Sequence, residues 1–441
     1  MNPELRKCAV RFVLFLASAT VMLQICGTGT AEANEASHVR ELERRIEENS
    51  KLIEKLIGRV RDLEEKAAGG CRQAAPVAAA SSPQAGPSAT TGEPGGNDLT
   101  FLDDVTWLHG FADVGLTYSG QRQGEGSKRK GFSIGALDFY LTPQLGTHFK
   151  SLVELIFEVN DEGETAAELE RLQIGYAFND YLTLWSGRYH TPLGYWNTAY
   201  HHGKQLQTTI QRPKFLNFEE DGGVIPTHMT GLWGTGSTRT GGGRLGYDLY
   251  LANGPKIKDS GKLDPNPFSD DNHDLAAGIN IGYDFAGALD GLRLGIHALR
   301  ADVDSYNPAG TRISRSEMNL FGGYGFYNSD EWEIIGEFYQ FLNRDRSGGS
   351  GTHSSSLGFL QAGRIIGAFT PYARFEFSSL DQKDNYFSRL RDGYSYRRGL
   401  FGLRYDLTPK AALKLEGNHT RITNRDRDDY FEIGSQFSIR F

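Results

Sequence analysis

Residues 429–441, DYFEIGSQFSIRF, alternate with a period of two. Phe431, Ile433, Phe437, Ile439 and Phe441 fall on one face, and Glu432, Gln436, Ser438 and Arg440 on the other. Alternation of this kind puts successive side chains on opposite sides of an extended strand. The same rule reads upstream. Phe149, Val153, Leu155, Phe157 and Val159 oppose Lys150, Glu154 and Glu158. Leu275, Ala277, Ile279, Ile281, Tyr283 and Phe285 oppose Asp274, Gly278, Asn280 and Asp284. Phe401, Leu403, Tyr405 and Leu407 oppose Arg398, Gly402, Arg404 and Asp406. In a soluble sandwich each apolar face would need a second sheet. Here the charged face recurs in strand after strand, which suits an apolar exterior against lipid around a wet lumen.

Composition agrees. Glycine supplies 54 of 441 residues, about 12% against the usual 7% or so. Hydrophobic residues are 39% of the chain, below the roughly 45–50% of ordinary globular domains. One apolar run, Phe12–Ile25, approaches the length of a helical span, so a polytopic helical protein is excluded. Three cysteines exclude a disulfide scaffold. The expected fold is all-β: a transmembrane antiparallel β-barrel of about sixteen strands within 98–441, preceded by an α-helical coiled coil. Its connections alternate between short turns, such as Asn179-Asp180 and Thr408-Pro409, and long ones at 119–130, 160–167, 190–226, 254–273, 302–315, 344–352, 379–395 and 421–428. Outer-membrane barrels have short periplasmic turns and long external loops, and an even strand count puts both chain ends in the periplasm.

The first 97 residues divide into three. Arg6 and Lys7, the apolar run and Ala31-Glu32-Ala33 read as a signal peptide over 1–33; a membrane anchor and lipidation at Cys26 are the competing readings. Residues 38–66 carry heptads, with Val39, Ile46, Ile53 and Val60 at a and Leu42, Asn49, Leu56 and Leu63 at d. A seam of this kind needs a partner helix, so a periplasmic coiled coil and self-association are expected; the β-branched a positions lean towards two strands, and Asn49 leaves the number open. Residues 67–97 are an Ala/Pro/Gly/Ser-rich linker holding Cys71, an incidental thiol or an inter-chain crosslink.

The longest connection, 190–226, contains Tyr195, Trp196, Tyr200, Phe215 and Phe218, rings that need something to pack on. At its start the strand end runs into the loop as Gly187-Arg188-Tyr189-His190-Thr191-Pro192-Leu193-Gly194. On these residues, and on the terminal Phe441, the chain over 105–441 resembles outer-membrane porins of Gram-negative envelopes, in particular the phosphate-selective porin O and P superfamily. The resemblance implies a third loop folded inward to narrow a pore, and barrels associated as trimers.

Charge decides what such a pore would pass. The first 97 residues hold 12 basic and 12 acidic residues, so the formal −8 of the chain lies in the barrel, with 35 basic against 43 acidic. The candidate constriction offers Arg188, His190, Lys204, Arg212 and Lys214 beside Glu219, Glu220 and Asp221. Wall positions expected to face inward are mixed too: Arg171, Arg244, Arg293, Arg374, Arg398 and Arg404 against Asp113, Glu154, Asp248, Glu337, Glu376 and Glu416. Interleaved signs argue against a phosphate-specific filter, which would need one sign in rings.

His190, His201 and His202 share the loop, yet adjacent residues of an extended segment cannot both face one ion, and no Cys or paired carboxylate stands at ligand spacing. Polar lining is their simpler reading, with no metal and no cofactor. His353-Ser354, being adjacent, point to opposite faces of a strand, so no hydrolytic pair forms and no enzyme is expected. No Gly-rich phosphate loop leads from a strand into a helix, and no nucleic-acid partner is expected. The reading is a diffusion channel for small hydrophilic solutes or ions, in contact with outer-membrane lipid. Its rival is a non-conducting barrel that tethers the envelope or acts as an adhesin, its coiled coil touching the cell wall.

Overall fold

The computed structural model describes residues 108–120, 131–143, 145–159, 165–201, 203–264, 272, 274–424 and 429–441. The signal peptide, coiled coil and linker lie outside the described residues. The first wall strands are β1 (Leu108–Ser119), β2 (Gly131–Leu141), β3 (Phe149–Val159), β4 (Thr165–Asn179), β5 (Leu182–His190), β6 (His228–Thr240) and β7 (Gly243–Ala252). A small hairpin, β8 (Lys256–Ile257) and β9 (Leu263–Asp264), interrupts the next connection. The wall resumes with β10 (Ala276–Asp284), β11 (Leu292–Tyr306), β12 (Arg312–Asn328), β13 (Trp332–Asp345) and β14 (Thr352–Arg364). It ends with β15 (Phe369–Ser379), β16 (Tyr396–Thr408), β17 (Ala411–Ile422) and β18 (Tyr430–Arg440).

Each wall strand pairs antiparallel with its neighbours, β7 pairs directly with β10, and β18 returns to β1, closing sixteen strands into a barrel. The seam runs from Phe111 opposite Arg440 to Ser119 opposite Glu432. It is locked at one end by reciprocal hydrogen bonds, Gly110 N to Phe441 O at 3.1 Å and Phe441 N to Gly110 O at 3.0 Å. Closure leaves no unpaired sheet edge, as a hydrocarbon surrounding demands.

Three strand ends run well beyond the sequence expectation. The connection 302–315 contracts to 307–311 because β11 and β12 run on, with Asp304 directly opposite Arg315 and Arg315 Nε donating to Asp304 Oδ1 at 2.8 Å. Polar residues that read as loop are a cross-strand ion pair. Likewise β6 continues through its polar end to Thr240 and turns on Gly241-Gly242.

The outward face is apolar. Phe401 is 72% exposed, and Phe375, Leu360, Leu415 and Ile433 beside it also stand clear of the protein. Apolar surface this extensive has no place in water; facing lipid, it is what holds the barrel in the bilayer. Phe401 sits near the middle of β16. Replacing it with arginine should cost about 2–4 kcal/mol, read as a shift of the urea midpoint in lipid vesicles, and an unchanged midpoint would remove this face from the membrane.

The inner face is not uniformly polar. On β13 and β14, Ile335, Tyr339, Phe341, Leu357 and Phe359 point inward and are buried. They are covered by residues of 191–227 and 380–395, so the barrel holds an apolar core on the lumen side of part of its wall. Elsewhere wall aromatics lie across glycines directly opposite them. Tyr250 covers Gly278, Tyr324 covers Gly295 and Tyr372 covers Gly402. A Cβ at any of these glycines would meet ring atoms at 2.1–2.2 Å. Part of the glycine richness is therefore the room these rings occupy.

Candidate functional site: the inward loop

The loop 191–227 begins at a forced bend. Gly187 has φ +130°, and a Cβ there would stand 1.9 Å from Leu172 O on the neighbouring strand. Beyond it, Gly194 (φ +72°) passes so close to Glu337 and Tyr339 that a side chain would strike both. One helical turn follows, α1 (Trp196–Ala199), with Tyr195 N and Trp196 N donating to Glu337 Oε1 at 2.8 and 2.6 Å. The Trp196 ring stands edge-on to Phe359 at 5.6 Å, and Phe215 meets Tyr339 at 5.5 Å. These contacts give the loop aromatics the packing surface their number demands.

From there the chain meets the opposite wall. Counting round the ring, β15 is eight wall strands from β5, and β16 is eight from β6. Arg374 on β15 donates to Gln211 O and Arg212 O at 2.9 Å each, and to Thr209 Oγ1 at 3.1 Å. Arg404 on β16 donates to Gln205 O at 2.8 Å and Gln207 O at 3.0 Å. On β17, Lys414 donates to Gln207 O at 2.8 Å and Thr209 O at 3.1 Å. Carboxylates take the amides: Glu416 accepts from Ile210 N at 2.8 Å, and Glu376 from Lys214 N at 2.7 Å.

A loop without regular structure must still satisfy its buried backbone groups. Here basic wall residues supply donors for its carbonyls and acidic ones accept from its amides. The interleaved signs on the wall are thus in part a docking surface. Five inward residues named from the sequence, Arg374, Arg404, Glu337, Glu376 and Glu416, are engaged with the loop in this way. Arg374 and Glu376 also pair with each other at 2.8 Å, both side chains fully buried.

The remaining candidates divide by accessibility. Glu220 and Asp221 are exposed, while Lys204, Lys214, Arg171 and Arg188 are partly covered. Arg212 and Glu219 are buried within the loop itself. Arg212 donates to Leu216 O and His201 O at 2.8 Å each and stacks over Phe218 at 3.9 Å. Burial pushes its guanidinium down to about 10, against the pull of Glu219, Glu220 and Glu170. It remains charged at neutral pH. Glu219 accepts from Thr227 N and Thr227 Oγ1 and faces His228 Nδ1 at 3.0 Å.

Arg171 ion-pairs with Glu154, and Arg188 reaches Leu169 O at 2.8 Å and Glu170 Oε2 at 3.3 Å. Between them lies a β-bulge. Glu154 pairs with Arg171 and Leu155 with Leu169, so Glu170 is an extra residue in β4. The bulge sets Glu170 beside His190, His201 and His228. His190 and His201 stack at 3.4 Å with their planes 13° apart. His202 lies outside the described residues. Neither Glu170 nor His228 was signalled by spacing, since the four residues come from three strands and the loop.

The connection 380–395 also packs inside. Its short helix α2 (Asn385–Arg389) buries Tyr386 and Phe387 against Phe341, and Tyr386 Oη donates to Val224 O at 2.7 Å. The sequence marked this segment only by its length.

No protein-family model and no curated protein matches the chain. Solved structures do. The anion-selective porin from Comamonas acidovorans superposes with a TM-score of 0.51 at 13% identity, over 76% of this chain and 98% of that one. The outer-membrane channel DcaP of Acinetobacter baumannii gives 0.48 at 11% identity, over 76% and 96%. OmpF of Salmonella typhi gives 0.48 at 12%, over 76% and 97%. At these identities the first likeness speaks for architecture: the chain has the closed sixteen-strand barrel fold of a porin.

Proposed function

We propose that the protein is an outer-membrane porin, a water-filled channel for passive diffusion of small hydrophilic solutes or ions, narrowed by the loop 191–227. The observation that carries this reading is the docking of that loop on β15, β16 and β17, across the barrel from its own roots. A loop so placed must reduce the open cross-section, and the accessible Lys204, Lys214, Glu220 and Asp221 are then the charges a solute meets. Arg171, Arg188 and His190 belong to the wall from which the loop departs. Arg212, Glu219, Arg374 and Arg404 hold its shape. Selection is by size first, driven by the solute gradient.

The Comamonas porin is anion-selective by name. With both signs accessible and a barrel charge of −8, the present channel is expected to discriminate weakly, with a small reversal potential towards cations under a salt gradient. A strong anion bias would overturn the charge assignment. Conduction itself is tested by single-channel recording of the purified protein in a planar bilayer. Discrete ohmic steps are expected, and silence at all voltages would defeat the porin reading.

A second reading draws on the apolar core inside the barrel: the loops 191–227 and 380–395 hold the lumen shut, and the protein is an envelope tether acting through 38–66. Silence in the bilayer, with envelope attachment lost on deleting 38–97, would favour it. In either case residues 38–66 would self-associate in the periplasm, as a dimer or trimer, and cross-linking of the full chain distinguishes the two.

A further inference from the structure

We propose that Glu170, His190, His201 and His228 form a binding site for one divalent transition-metal ion of the zinc class, which clamps the loop 191–227 to the wall at β4, β5 and β6.

One ligand atom from each residue lies within 4.8 Å of the others, and all four side chains are buried. His201 Nε2 and His228 Nε2 are 2.7 Å apart, and Glu170 Oε1 stands 3.2 Å from the former and in contact with the latter. The outer ring nitrogens decide what these atoms are. His201 Nδ1 faces Asn197 O at 3.2 Å and Asn197 Oδ1 at 3.1 Å. His228 Nδ1 faces Glu219 Oε2 at 3.0 Å. Oxygen acceptors at both Nδ1 positions assign the proton there. When both rings are neutral, each turns an Nε2 lone pair towards the other, beside a carboxylate. Three acceptors converging in a buried space repel one another unless a positive centre stands among them.

The surroundings fit an ion. A histidine ligand ordinarily gives its second N–H to a carboxylate or carbonyl that fixes the ring. Glu219 does this for His228, and Asn197 for His201. Arg188 holds Glu170 Oε2 at 3.3 Å, turning Oε1 towards the rings. Three imidazoles and one carboxylate suit zinc, nickel, cobalt or copper rather than the all-oxygen shells of calcium and magnesium. Four protein ligands fill a tetrahedral shell, the mark of a structural site.

His190 is the ligand that must move. Its ring lies parallel to His201, so both lone pairs cannot meet one ion until it rotates. Tetrahedral ligands with bonds of about 2.0–2.1 Å sit roughly 3.3 Å apart, so His201 and His228 need only a small opening. The bulge at Glu170 has its reason here, since bulges re-aim side chains at functional positions.

The test uses the full chain folded in detergent, stripped with EDTA, dialysed and titrated with Zn2+ by calorimetry, with bound metal counted by elemental analysis. One ion per chain is expected, and Co2+ in its place should give the intense visible bands of a tetrahedral complex. Glu219→Gln should weaken Zn2+ binding about 10–100-fold, and His201→Gln or His228→Gln more than that. His190→Gln should cost least among the histidines. His419→Gln, an exposed residue of β17, should change nothing. His201 is on the loop, so its variant should still form the barrel, checked by circular dichroism. If the folded wild type takes up no Zn2+, or binds it no more tightly than His201→Gln, the cluster is held by shared protons and the proposal is wrong. The result stands apart from conduction, because it is read as bound metal whether or not the barrel is open.

Discussion

Replacing Arg374 with alanine should lower the stability of the folded barrel by about 3–5 kcal/mol, the usual loss when one partner of a buried ion pair is removed. Arg374 and Glu376 are both fully buried. Without the guanidinium, Glu376 keeps Lys214 N at 2.7 Å and the more distant Arg398 at 3.7 Å. Arg212 O loses its donor, as does Thr209 Oγ1, while Gln211 O is left with Thr209 Oγ1 at 2.9 Å. Each buried acceptor left unsatisfied adds its own desolvation cost. The urea midpoint in lipid vesicles measures the sum. Limited proteolysis should then cut within 205–214, and if the loop narrows a channel, conductance should rise several-fold. Arg374→Lys keeps the charge without the planar fork and should recover only part of the loss. A midpoint unchanged by alanine would mean that the loop is held from elsewhere.

Gly187→Val should be as damaging for a different reason. The backbone at φ +130° disfavours any side chain, by about 1–3 kcal/mol. The new Cβ would also be forced against Leu172 O, at 1.9 Å. The chain must relieve both by parting β4 from β5 where Gln173 opposes Gly187 and Leu172 opposes Arg188. A total of about 3 kcal/mol or more is expected, with a smaller fraction of chains reaching the heat-resistant folded form on electrophoresis. Gly399→Ala is the control, since a Cβ there meets nothing within 4 Å. Equal losses at the two positions would show that strand glycines matter here only through backbone entropy.

The wall was legible because a strand with lipid on one side repeats every two residues, as Phe431 to Phe441 do. The alternation lapses at Leu169-Glu170-Arg171-Leu172, where two polar residues separate outward leucines. Read as a bulge, that lapse would have put Glu170 and Arg171 together on the inner face. The extent of β11 and β12 was hidden because Asp304 and Arg315 resemble loop residues until they are seen to pair. The loop itself was legible from its length and its rings. Its docking partners were not, since carbonyl-to-arginine contacts across a lumen have no spacing in the chain. Alternation from Glu337 puts Tyr339 on the inner face, but nothing in the sequence shows that Tyr339 and Phe359 would be buried there under two loops. The sequence sets His190, His201 and His202 in one loop, whereas Glu170 and His228, which also converge on His201, come from strands β4 and β6.

A closed ring of strands is soft in one way above all: it can flatten into an ellipse while every hydrogen bond in its wall survives. The loop 191–227 runs from β5 and β6 to β15 and β16, eight places round a ring of sixteen. It therefore acts as a tie rod along one diameter. Elongation along that line would stretch the tie, and compression would drive Trp196 and Phe215 into the wall that receives them. The diameter at right angles, from β1 and β2 to β11 and β12, has no such rod from this loop. Breathing of the barrel should be anisotropic, with its free amplitude along that second axis.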